Sequence, residues 1–224
     1  MQSKIALAVS FTLIAAGAAF ILFFERNNVL LGMGWPERIW GSLFQSVTAR
    51  TAGFNTLPTG DFTVPALLVL VALMFIGASP GSTGGGIKTC TFAVVAATVA
   101  GMIRNKRRVM MFGRSIPRNV VRESLVIFFL GFGWVFLMTL LLSYIMTQGN
   151  NGGTLADHLF EVASAFGTVG LSTGITGALN NAGKLCITLT MFAGRLGPLT
   201  LALAIAFRER KDVFLYPEEN MMVG

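Results

Sequence analysis

The sequence predicts an all-α membrane protein made of two tandem units, each a helix, a re-entrant loop and a second helix. Three observations predict this. Of 224 residues, 54% are hydrophobic and only 12% charged, whereas an ordinary soluble domain carries about 25% charged residues. Uncharged runs cover Ile5 to Phe24, Thr63 to Ile87, Thr89 to Ile103 and Ser124 to Ala156, and about 20 apolar residues make a helix that crosses a hydrocarbon core of about 30 Å. The motif order of the first half returns in the second.

The first run follows Lys4 but exceeds the usual 7 to 15 residue core of a signal peptide, and no A-x-A-like site follows it. It reads as a retained helix over residues 4 to 24. The repeat is then visible residue by residue. Leu43-Phe44-Gln45-Ser46 precedes Thr51-Ala52-Gly53-Phe54-Asn55-Thr56, just as Leu159-Phe160-Glu161-Val162 precedes Thr168-Val169-Gly170-Leu171-Ser172-Thr173. Met74-Phe75-Ile76-Gly77 returns as Met191-Phe192-Ala193-Gly194, and Thr51 precedes Thr168 by as many residues as Met74 precedes Met191. Each unit therefore reads as a first helix (4 to 24; 123 to 147), a short helix (39 to 50; 155 to 167), a Thr-x-Gly loop (51 to 56; 168 to 173) and a second helix (62 to 103; 183 to 207). The short helices are too brief to span and suit re-entrant segments. Three regions follow: 1–103, a basic loop 104–122, and 123–224.

The formal charge of +7 is concentrated at Arg104, Lys106, Arg107, Arg108, Arg114, Arg118 and Arg122, with no acid among them. Only Phe112 interleaves these charges, against the aromatic stacking expected of a nucleic-acid surface. They read instead as a cytoplasmic topology signal. Helix parity then puts both Thr-x-Gly loops outside, and Arg208, Arg210 and Lys211 inside. Cys90 and Cys186 lie in apolar runs, where thiols pack as small hydrophobes; neither a disulfide nor a metal framework is implied.

A single helix over 62 to 103 would be about 63 Å long, twice the membrane core. A break is expected at Ser79-Pro80-Gly81-Ser82-Thr83-Gly84-Gly85-Gly86, where proline removes a donor and glycines leave helical geometry. Irregular backbone at membrane depth must be buried in protein or line a water-filled path. The Thr-x-Gly loops supply what such a path needs, because carbonyl oxygens can replace the hydration shell of a potassium ion and glycine lets them converge. One such loop is an ordinary turn; two at matched spacing point to a cation filter made by Thr51, Ala52, Gly53 and Phe54 with Thr168, Val169, Gly170 and Leu171.

These residues resemble the bacterial potassium-uptake subunits of the Trk/Ktr superfamily, related to plant high-affinity potassium transporters. Arg50 to Thr56 is similar to that family's third-repeat filter and Thr168 to Gly174 to its fourth. Gly84-Gly85-Gly86-Ile87-Lys88-Thr89 resembles the stretch after its intramembrane gating loop. Gly194-Arg195-Leu196-Gly197-Pro198-Leu199-Thr200 and Tyr216-Pro217-Glu218-Glu219 are nearer to the Ktr membrane subunit. The resemblance covers nearly the whole chain. It implies a pseudo-fourfold pore of four repeats in a bacterial plasma membrane, of which this chain holds two, as the C-terminal half of a longer protein or with another chain completing the ring; the fragment is favoured. It implies potassium as the transported ion with no bound cofactor, a homodimer, and a cytoplasmic nucleotide-binding ring that could dock on 104–122. Sodium dependence stays open.

Charged residues inside apolar runs are functional candidates. Arg195 is either a structural partner for an acid or carbonyl or, as the resemblance implies, a positive barrier that forms the gate together with Pro80 to Gly86. Lys88 is either an anchor for that loop or a snorkelling residue. Arg50 is expected to point away from the axis and pair with an acid, either Glu161 or one in the missing half, and His158 to serve capping and local hydrogen bonding rather than catalysis. Gly77-Ala78-Ser79-Pro80-Gly81 fits a nucleophile elbow, but the oxyanion hole needs the N–H after the nucleophile and Pro80 has none; no enzyme is expected. Gly81 to Thr89 departs from a phosphate-binding loop because Ile87 separates Gly86 from Lys88, and no strand precedes it. An alternating-access carrier is the remaining rival.

Overall fold

The structure, a computed structural model, describes residues 2–105, 109–148 and 153–197. Lys106, Arg107, Arg108, Pro198 to Thr200 and the C-terminal motif with its basic residues lie outside the described residues, as does the far end of the helix expected over 183 to 207.

Helix α1 (Gln2–Glu25) and helix α5 (Arg118–Gln148) are long and apolar enough to cross a membrane. Helix α1 ends where its apolar run does, on a carboxylate. Glu25 is fully buried and accepts from Asn28 Nδ2 at 2.8 Å, Thr63 N at 2.8 Å and Thr63 Oγ1 at 2.6 Å. It thereby fastens the end of α1 to the start of α3 (Val64–Phe75). Nothing in the sequence periodicity announces this. Glu25→Ala should leave a buried N–H and a hydroxyl unpaired, costing about 2–4 kcal/mol, which thermal unfolding of the detergent-solubilised chain would read.

Helix α2 (Trp35–Thr48) starts four residues before the expected 39. Pro36 suits its first turn, and Glu37 Oε2 accepts the Gly34 N–H at 3.0 Å. Helix α6 (Leu155–Gly167) occupies the expected segment, because Thr154 and Asp157 form a capping box. Helix α7 (Asn181–Leu196) starts with the Asn180 side chain accepting from Gly183 N at 2.8 Å.

The runs Thr63 to Ile87 and Thr89 to Ile103 are not two spans. Helix α3 has 12 residues and α4 (Thr89–Ile103) has 15, both short of the ~20 that cross. The interruption is also wider than the Pro/Gly cluster, since Ile76 pairs with Ile87 as an isolated parallel bridge. Ile87 N donates to Phe75 O at 3.1 Å and Thr89 N to Ala78 O at 3.3 Å, so backbone groups a helix would use are spent across the loop. Helix α4 starts opposite the N-terminal end of α1, with Cys90 Sγ 3.9 Å from the Gln2 carbonyl.

The basic loop is not structureless, and the fold is not purely helical. Strands β1 (Met110–Met111) and β2 (Arg114–Ser115) pair antiparallel. Phe112 and Gly113 both take positive φ, 49° and 75°, as a two-residue hairpin requires.

Helix α6 sits at the centre of the described residues. One core cluster packs Phe160 and Ala163 with Ile21, Leu70 and Met74; the other packs Phe166 with Val135, Leu142 and Ile187. Phe75 stacks on Phe166 with ring centroids 5.8 Å apart.

Candidate functional site

The loops that follow α2 and α6 share one backbone pattern. Thr51 and Gly53 have φ of 73° and 75°, and Thr168 and Gly170 have 52° and 97°; Ala52 and Val169 between them do not take positive φ. Alternating handedness rotates successive peptide planes so that their carbonyls gather on one side. The amides are tied back to the helix ends: Ala52 N and Gly53 N both donate to Thr48 O at 3.1 Å, Thr168 N to Ala165 O at 3.0 Å and Val169 N to Ser164 O at 2.9 Å. Among the described residues no donor meets the carbonyls of Thr51, Ala52, Gly53, Thr168, Val169, Gly170 or Leu171. The Phe54 carbonyl differs, since it accepts from the Thr48 hydroxyl at 2.8 Å. Both loops also receive the negative end of the preceding helix dipole.

The two loops meet. A Cβ on Gly53 would collide with the Val169 carbonyl oxygen, and Gly53 Cα lies 3.9 Å from where a Cβ on Gly170 would stand. Further out, Thr59 Oγ1 donates to Ser172 O. Glu161, buried on α6, accepts from Ser172 Oγ, from Thr173 N at 3.1 Å and from Thr176 Oγ1 at 2.9 Å. It therefore orders the chain leaving the second loop and does not pair with Arg50.

On the opposite side, the segment between α3 and α4 lies directly against both threonines. Gly85 N donates to Thr168 Oγ1 at 2.8 Å, and a Cβ on Gly84 would lie 2.8 Å from Thr51 Oγ1. Lys88 Nζ donates to Gly84 O at 2.6 Å and Ser82 O at 3.4 Å. Arg195 donates to Thr83 O from α7. Pro80 and Gly81 lead into the segment, with Gly81 at φ 85°, and Gly86 returns it to α4 at φ 71°. Arg50 donates to Ser10 O at 3.1 Å and Gly77 O at 3.3 Å, so its partners are carbonyls rather than the expected acid. A cavity of about 580 Å³ runs past Thr168 to Leu171 on one wall and Met191 and Arg195 on the other.

His158 takes no part in the capping expected of it. Thr154 and Asp157 perform that role, while His158 is buried with neither ring nitrogen hydrogen-bonded. No group of His, Cys, Asp and Glu among the described residues could hold a metal. The ordering carboxylates Glu25 and Glu161 are what sequence reasoning missed; the only signal was an acid at the edge of one apolar segment and inside another.

A helical membrane protein whose two similar halves turn Thr-x-Gly loops onto one point is the class that fold and site define. The TrkH family model, described as a cation transport protein, matches residues 1–215, and the chain belongs to that family. It is similar to Ktr system potassium uptake protein D of Bacillus subtilis, 38% identical over 95% of this chain and 46% of that protein. It is also similar to Ktr system potassium uptake protein B of Vibrio alginolyticus, 37% identical over 100% of this chain and 48% of that protein. The potassium/sodium uptake protein NtpJ of Enterococcus hirae is 35% identical, over 100% of this chain and 50% of that protein. The chain thus spans about half the length of the curated relatives it matches. The fold is similar to part of the potassium transporter TrkH from Vibrio parahaemolyticus, with a TM-score of 0.67 at 20% identity over 92% of this chain and 44% of that one.

Proposed function

We propose that this chain forms half of a potassium-uptake pore in a bacterial plasma membrane, in which ions pass the carbonyls of residues 51 to 53 and 168 to 171. The observation that carries the reading is the paired loop geometry: amides drawn back to two helix ends, carbonyls without donors, and Gly53 against Val169. Rings of such carbonyls stand in for ion hydration. Residues 1–103 and 123–224 are the two pore units, and 104–122 is the cytoplasmic connection on which a nucleotide-binding ring would dock. The segment 80 to 86 with Lys88 and Arg195 is the gate below the filter.

Internal comparison supports two further units. Helix α3 packs on α6, where Phe160 and Ala163 are both 0% exposed. Their counterparts on α2, Phe44 and Val47, are 41% and 43% exposed. Met191 on α7 is 48% exposed, although its counterpart Met74 is fully buried. Helix α2 therefore lacks a neighbour of the kind that α3 gives α6, and the Met191 face of α7, a helix whose Ile187 side packs on α6, lacks a second one, which is what a ring of four units would supply.

The test is ion flux through the complete protein in planar bilayers. Single-channel potassium currents are expected. Saturating uptake that reverses with a coupled-ion gradient would instead establish a carrier.

A further inference from the structure

One face of α5 joins the last two arginines of the basic stretch to an exposed apolar groove. Arg118 and Arg122, a turn apart, head a groove of about 540 Å³ whose floor continues through Leu125, Val126, Phe129 and Leu130. Val126, Phe129 and Leu130 are 45%, 66% and 49% exposed, and no acceptor among the described residues holds either guanidinium. Arg118 lies in the first turn of α5, where a cation opposes the helix dipole, so it does not serve the helix itself.

Length fixes the depth of this groove. Helix α5 has 31 residues, about 46 Å at 1.5 Å per residue, which matches a bilayer of about 40–45 Å with its headgroups. Tyr144, exposed near the other end, suits the far interface, where aromatic side chains anchor. Arg118 and Arg122 then lie at headgroup level on the side of the basic loop, with the apolar floor at the depth of acyl chains.

We infer that this groove is a binding site for one anionic phospholipid of the cytoplasmic leaflet, its phosphate held by Arg118 and Arg122 and an acyl chain lying along Leu125 to Leu130. The charge fits a lipid of that sign: guanidinium groups take phosphate oxygens in paired hydrogen bonds, and the cytoplasmic leaflet carries the negative surface. The site rests on the membrane-spanning reading of α5 and not on the pore, so either can fail alone.

The complete protein purified in neutral detergent can be titrated with dioleoyl phosphatidylglycerol or dioleoyl phosphatidylcholine, and retained lipid counted by native mass spectrometry. Phosphatidylglycerol should half-saturate at a concentration at least about 10-fold lower. Arg118→Gln with Arg122→Gln should weaken phosphatidylglycerol about 30-fold, from roughly one lipid-charge contact per arginine, and leave phosphatidylcholine unchanged. Arg118→Lys with Arg122→Lys, which keeps the charges should folding need them, should recover most of the binding. Arg104→Gln with Arg114→Gln removes equal charge outside the groove and should have little effect. Equal affinity for the two lipids, equal loss in the Arg104/Arg114 pair, or displacement by millimolar inorganic phosphate would each overturn the site.

Discussion

Gly53→Ala is expected to lower potassium uptake by more than tenfold in cells that depend on the complete transporter, and to erode discrimination against sodium. Two penalties combine at this position. The residue holds φ 75°, which costs an L-residue about 1–2 kcal/mol. Its new Cβ would also collide with the Val169 carbonyl oxygen, on a residue whose own amide is tied to Ser164 O. Neither loop can yield without moving the carbonyls proposed to face the ion, and about 1.4 kcal/mol already changes a rate or an equilibrium tenfold. Gly133→Ala is the matched control: that position lies mid-helix in α5 with open space around it, and alanine is the better helix former. Rubidium uptake at equal membrane protein levels, with sodium as competitor, reads both effects. Wild-type uptake and selectivity in Gly53→Ala would remove these loops from the ion path.

What was legible in the sequence was whatever local chemistry decides. Helix α6 falls on the 155 to 167 that the repeat predicted, and its start is held there by the Thr154–Asp157 capping box, a local signal of the kind a sequence carries. Helix α1 followed from run length alone. The equivalence of the two loops followed from the repeat, which also fixed Gly53 and Gly170 as matched positions. The interruption after α3 was legible as an event, from Pro80 and the glycines, but not in extent. The Ile76–Ile87 bridge joins two isoleucines whose own preference gives no hint that the backbone leaves the helix there.

Long-range partners were the other gap. Of the two acids expected for Arg50, Glu161 is not its partner: among the described residues Arg50 is held by the Ser10 and Gly77 carbonyls, which helix packing brings within its reach. Glu161 is occupied by the residues that leave the second loop. The hairpin at 110 to 115 escaped notice because two residues per strand give no alternation to read. Its turn at Phe112 and Gly113 carries the only cue.

Arg195→Gln is expected to raise potassium flux through the complete protein about tenfold when no regulator is bound. A unit charge about 4 Å from a passing cation opposes it by about 1 kcal/mol in bulk water and about 4 kcal/mol at an effective dielectric of 20, which brackets the tenfold. Arg195 has a second way to act, since it also holds the Thr83 carbonyl of the segment lying against Thr51 and Thr168. Deleting residues 80 to 84 removes that acceptor together with the Gly84 carbonyl that Lys88 holds, and should raise flux as well. The double variant separates the two roles. If Arg195 acts mainly by pinning the segment, Arg195→Gln adds nothing once the segment is gone, because groups in one network are not additive. If it acts mainly as a charge beside the path, the two increases multiply, and Arg195→Lys, which keeps the charge but reaches less far, stays near wild type. Flux unchanged in both single variants would leave the segment a structural closure between α3 and α4 with no part in gating.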